Sequence, residues 1–182
     1  MPNTLFLTGP PGVGKTTVIR RVVERVGPRA GGFYTEEVRQ GGKRMGFRLV
    51  TLAGERAWLA RRGAESPYRV GAYGVDVAAL DAVGVPAIWE AIHHKEIIIV
   101  DEIGRMELFS RAFKEAVLAA IASVKPFLAT VMLKPHPWVD PLKSRPDVVV
   151  WTVTRDNRDG LPERILRWLE SHVEDQGRFD PL

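Results

Sequence analysis

The chain of 182 residues contains no cysteine. Disulfides and thiolate metal centres are therefore excluded, and a reducing, cytoplasmic setting is expected. No apolar stretch approaches the ~20 residues of a membrane span. The N-terminus also lacks a basic region followed by a long apolar core, so neither an anchor nor a secretory leader is expected. Histidine is scarce. His93, His94, His136 and His172 show no i, i+4 pairing, which argues against a histidine metal site. The basic residues are scattered, with only pairs at Arg20-Arg21, Lys43-Arg44 and Arg61-Arg62. The net charge of +4 suits an anionic ligand without specifying nucleic acid, and no aromatic-and-basic strand pattern of the RNA-binding kind occurs. An Asn-Lys-x-Asp tetrapeptide is also missing, so guanine-only recognition is not expected of this chain.

Against these absences stands one strong motif. Gly9-Pro10-Pro11-Gly12-Val13-Gly14-Lys15-Thr16 follows directly on the apolar run Leu5–Leu7. This is a phosphate-binding loop with its strand in front. A Gly-rich turn lets consecutive backbone N–H groups close on a phosphate, and the following helix adds a positive dipole end. Lys15 is placed for the β and γ oxygens, and the Thr16 hydroxyl for Mg²⁺. Behind the loop, Val18, Ile19, Val22, Val23 and Val26 recur at the ~3.6-residue helical period.

A metal at such a loop needs a second acidic group. Ile97-Ile98-Ile99-Val100 reads as a strand buried on both faces and ends in Asp101-Glu102. Ligands of open α/β sheets sit at the carboxyl ends of strands, so Asp101 is expected beside the loop as a magnesium ligand. Glu102, one residue further on, is the expected base that polarises the attacking water. Arg105, Thr35 or Glu36, and Asn157 with an arginine of the Arg155–Arg158 loop are further candidates for contacts with metal, phosphate or base. A strand face or a capped loop accounts for the Thr35–Glu37 and Thr154–Arg158 segments equally well.

Apolar runs at Leu5–Leu7, Ile97–Val100, Phe127–Leu133 and Val148–Trp151 alternate with helical patterns. That rhythm predicts an α/β fold with a mainly parallel sheet and helices on both faces. Residues 32–76 break it. Phe33–Arg39 and Arg44–Leu52 flank Gln40-Gly41-Gly42-Lys43, a hairpin signal. Trp58–Arg61 and Tyr68–Val75 read as two further strands, so this stretch is expected to extend the sheet antiparallel. A helix is expected over about Pro86–His94 and a Pro-rich connection over 134–146. One domain spanning 1–182 is expected, with the tail after Glu174 frayed.

Taken together, these stretches resemble the small P-loop nucleoside-triphosphatases of thermophilic prokaryotes, represented in animals by cancer-related nucleoside-triphosphatase. The resemblance rests on Phe6–Thr16, Gly32–Arg39, Gly46-Phe47, Val50–Leu52, Arg69–Gly71, Asp101–Gly104, Met106–Ser110, Val153-Thr154 and Asn157-Arg158, in family order. It departs mainly over residues 76–96 and 134–146. It implies Mg²⁺-dependent hydrolysis of ATP, GTP, CTP and UTP with low base specificity. It further implies nucleotide contacts at Gly9–Thr16 and at Val100, Asp101, Glu102, Ile103, Gly104, Arg105, Met106 and Glu107. Two alternatives share the same loop chemistry: a small-molecule or nucleotide kinase, and a nucleotide-dependent switch or nucleic-acid-associated ATPase.

Overall fold

The computed structural model describes residues 1–177. In chain order the elements are β1 (Thr4–Thr8), α1 (Lys15–Val26), β2 (Ala30–Gln40), β3 (Lys43–Thr51), β4 (Arg56–Arg62), β5 (Arg69–Val70) and β6 (Tyr73–Val75). They are followed by α2 (Val77–Ala79), a π-helical turn at Leu80–Gly84, α3 (Val85–His94), β7 (Ile97–Ile103) and α4 (Arg111–Ala122). Then come β8 (Phe127–Val131), α5 (Val139–Lys143), β9 (Val148–Thr152) and α6 (Leu161–Gly177).

All nine strands join one sheet in the order β5-β6-β4-β3-β2-β7-β8-β1-β9. From β2 to β9 the pairing is parallel; from β3 outward it is antiparallel. Strand β2 belongs to both halves. Its residues Ala30–Phe33 pair with β7, while Phe33–Gln40 pair with β3. The expected antiparallel extension is therefore present, and its hairpin closes where Gln40 faces Lys43.

Strand alternation decides which helix covers which face. Leu5, Leu7, Ile97 and Ile99 point to one side and pack with Val18, Ile19, Val22, Ile165 and Leu169 of α1 and α6. Phe6, Ile98 and Val100 point to the other, toward Ile88 of α3 and Phe113 and Val117 of α4. The four-residue aliphatic run of β7 is thus buried on both faces, as read from its sequence. Phe6 and Phe127 meet edge to face across the second layer, with ring centroids 6.3 Å apart.

Two expectations need correction. Tyr68–Val75 is not one strand: Gly71 and Ala72 turn the chain so that Val70 pairs with Tyr73 in a small hairpin. The Pro-rich connection holds a short helix, α5, whose Val139 and Leu142 are buried. Helix α6 runs to Gly177; the rest of the tail expected to fray after Glu174 lies outside the described residues.

Candidate nucleotide site

The loop between β1 and α1 wraps tightly against its own backbone. Val13 N–H donates to Pro10 O at 3.2 Å, and Val18 N–H to Gly14 O at 3.0 Å as the helix begins. Gly14 sits in the left-handed region at φ 113° and caps α1 without any side chain. No acidic residue occupies the first turn of α1, so its free N–H groups and positive dipole end are left for an external anion. The Lys15 ammonium lies back over the loop and donates to Gly9 O at 2.6 Å.

Strand β7 brings the acidic partner. Asp101 is almost completely buried, and its two oxygens are both engaged. One accepts from the Thr16 hydroxyl at 2.9 Å and the other from the Thr130 hydroxyl at 2.5 Å. Burial pushes the Asp101 carboxyl above its ordinary range, while the bonds from Thr130, Thr16 and the Thr35 backbone, together with the Lys15 charge, act against that shift. Glu102 is also raised, by burial first and by the neighbouring Asp101 charge second. Glu107 is raised most clearly, by burial and then by Glu102. Its Oε2 accepts from Gly104 N–H at 3.2 Å, which folds the Gly104–Glu107 loop beneath Glu102. The site is thus a set of three carboxyls facing one lysine and one helix N-terminus.

These groups open into a cleft of about 640 Å³. Gly9, Pro11, Gly12, Gly14, Lys15, Thr16, Asp101, Glu102, Arg105, Met106 and Glu107 all line it. Val100 and Ile103 are wholly buried in the sheet; Pro10, which is exposed, and Val13 and Gly104, which are buried, do not line the cleft. Thr35 reaches the cleft, but Glu36 does not. It faces the opposite side of β2 and pairs with Arg48 at 3.1 Å and Arg56 at 3.5 Å. Asn157 is committed to its own loop, accepting from Thr154 N–H and donating to Thr152 O, each at 2.8 Å. Arg158 instead packs on the phosphate loop, donating to Val13 O at 3.2 Å.

The cleft also has walls that sequence reading missed: Thr17, Glu37, Phe47, Leu59, Val70, Met132, Leu133 and Lys134. Phe47, Leu59 and Val70 read only as strand residues. Lys134 carried one usable signal, its place just past the carboxyl end of a core strand.

A mainly parallel run of strands with a phosphate loop after β1, and an acidic residue at the tip of β7, which β8 separates from β1, defines the P-loop NTPase fold. A family model described as NTPase matches residues 4–166, and the chain belongs to that nucleoside-triphosphatase family. It is 46% identical to nucleoside-triphosphatase THEP1 of Thermotoga maritima over 166 residues, 91% of this chain and 95% of the relative. It is 41% identical to human cancer-related nucleoside-triphosphatase over 187 aligned positions, 94% of this chain and 98% of the relative. Among solved structures it superposes on THEP1 from Aquifex aeolicus with TM-score 0.82 at 38% identity, covering 92% of this chain and 99% of that one. The solution structure of the human protein matches with TM-score 0.80 at 40% identity, covering 93% and 98%.

Proposed function

We propose that this protein hydrolyses nucleoside triphosphates to the diphosphate and inorganic phosphate with Mg²⁺, with little regard for the base. The observation that carries this is the Thr16–Asp101 contact of 2.9 Å beside Lys15. It joins the helix start that would cradle phosphate to the strand tip that would hold the metal.

The donor set fits magnesium. Thr16 and Asp101 offer hard oxygens, and a buried carboxylate gains from a bound cation the compensation that burial denies it. No cluster of three or more His, Asp or Glu side chains among the described residues is arranged to hold a metal alone. Mg²⁺ characteristically takes only one or two protein ligands and completes its shell with substrate phosphates and water. When bound it would neutralise charge on the β and γ oxygens. The chain's own residues do the rest. The loop N–H groups and Lys15 bind and align the triphosphate, and Arg158 braces the loop from behind. Glu102 accepts the proton of the attacking water; its raised pKa brings it nearer the operating range of a general base.

Low base selectivity is supported by what the polar residues are already bonded to. Asn157, the best base-reading candidate in the sequence, spends its amide on Thr152 and Thr154. Binding energy would then come mainly from the triphosphate and metal, shared by ATP, GTP, CTP and UTP. Phosphate release measured across the four should give kcat/KM values within about tenfold, under ~1.4 kcal/mol of discrimination. A thousandfold preference for one would reveal a base pocket and overturn this part of the reading.

A further inference from the structure

The phosphate site accounts for only one side of the cleft. Lys15 and Thr16 serve the β and γ phosphates in loops of this kind, so on the functional reading above the γ end faces Asp101 and Glu102. In the sheet, β7 lies to one side of β1 and β9 to the other. The Thr152–Arg158 loop opens on the β9 side, which leaves that side for the nucleoside. The cleft nevertheless continues in the other direction, past Glu102 and over the antiparallel extension. There it is walled by Phe47, Leu59, Val70, Met106, Met132 and Leu133. Two of the chain's four methionines stand in this wall. Methionine sulfur and an aromatic edge together favour a flat aromatic body. Tyr68 and Phe109, with ring centroids 5.3 Å apart, tie the extension to the turn after Glu107 and so hold the two walls together.

The charges at this end are uneven. Glu37 lines the cleft, but its carboxylate is matched by Arg39 at 2.7 Å. Arg105 and Lys134 line it too, and among the described residues neither forms an ion pair with an acidic side chain. Both are exposed at the mouth. Apolar walls with two uncompensated cations at their rim complement an aromatic molecule carrying an anionic group.

We propose that this chamber is a second ligand subsite, occupied by an aromatic anion at the same time as nucleotide occupies the phosphate loop. The proposal rests on the functional reading above, because that reading sets which end of the cleft the γ-phosphate takes.

The test uses the full chain saturated with MgADP and titrated with anilinonaphthalene sulfonate, followed by fluorescence and calorimetry. One probe should bind per chain with ADP still bound. Leu133→Asp and Lys134→Glu should each weaken it at least tenfold. Leu118→Asp, an equally exposed leucine on α4, should leave it unchanged; circular dichroism checks that each variant is folded. Displacement of the probe by AMP would assign the ligand to nucleotides, and displacement by indole carboxylate but not AMP to other aromatic acids. Either supports the subsite. Competition between probe and ADP would overturn it by making the chamber the nucleotide's own base pocket. Equal loss in Leu133→Asp and Leu118→Asp, or no stoichiometric binding, would also overturn it. If MgADP itself fails to bind, the functional reading fails first, and that result is distinguishable because nucleotide binding is measured separately.

Discussion

Lys15, Asp101, Glu102 and Glu107 share a small volume, yet each does a different job because its surroundings differ. Lys15 sits at the start of α1 and donates to the Gly9 carbonyl of the phosphate loop. Lys15→Ala should therefore abolish phosphate release and weaken triphosphate binding; wild-type turnover would sink the assigned site. Glu102→Gln keeps size and hydrogen bonding but removes the charge that accepts a proton. Nucleotide affinity should stay within a few-fold while kcat falls by roughly 10²–10⁴. If kcat barely moves, Glu107 is the next carboxyl in the cleft to examine, since Glu37 is paired with Arg39 and Glu36 is turned away and held by two arginines. Glu107 also carries a pH signature. Its carboxyl ionises near 4.5 in an unfolded chain but holds its proton to higher pH when folded. The folded state then binds more protons in that window, so stability is full below the unfolded value and falls as pH rises toward the folded one. Urea midpoints in EDTA should accordingly drop as pH rises above about 4.5 in the wild type, and drop less in Glu107→Gln. Equal slopes would place the buried charge elsewhere.

At the scale of elements, close backbone approach decides more than propensity does. Gly32 lies in β2 at φ 117°, where a Cβ would collide with the Ile99 carbonyl of β7. This is the parallel pairing that carries the Asp101 strand tip to the phosphate loop, so Gly32→Ala combines a strained φ with a clash against backbone that cannot yield. A loss of about 3 kcal/mol is expected, read as a fall in the urea midpoint. Gly104 shows the same logic at the active end of β7. A Cβ there would come within 2.5 Å of Glu102 Oε1, so Gly104→Ala should displace that carboxylate without touching the phosphate loop. We expect kcat to fall about tenfold, ~1.4 kcal/mol in the barrier, with KM within a few-fold. A raised KM at unchanged kcat would instead mean that the Gly104 loop serves substrate binding.

For the whole molecule, the sheet order is the functional fact. The phosphate loop, Asp101 and Lys134 come from β1, β7 and β8, side by side at one carboxyl edge, while the extension lies beyond β2. Phe47 of β3, Leu59 of β4 and Val70 of β5 give the cleft an apolar end. The helices stay out of the way, α1 and α6 on one face and α3 and α4 on the other. No helix among the described residues is long and apolar enough to cross a membrane.

Some of this was legible in the sequence for simple reasons. The loop motif is local: glycine spacing, Lys15 and Thr16 lie within eight consecutive residues, and the chain before and after them carries unambiguous strand and helix periods. The Ile97–Val100 run could only be a doubly buried strand, and the rule that sites open at carboxyl ends then put Asp101 and Glu102 beside the loop. The Gly41-Gly42 hairpin was equally local. What the sequence alone could not decide depends on contacts between distant segments. Strand alternation leaves Glu36 and Glu37 equivalent on paper, and only pairing with β3 turns the first toward Arg48 and the second into the cleft. Asn157 looks like a base reader until its loop closes and its amide is consumed at home. The turn at Gly71-Ala72 and the helix α5 escaped because each segment is too short for a periodic signal. Phe47, Leu59 and Val70 have no chemistry of their own; only the tertiary structure, which sets three separate strands against one cleft, makes them its wall.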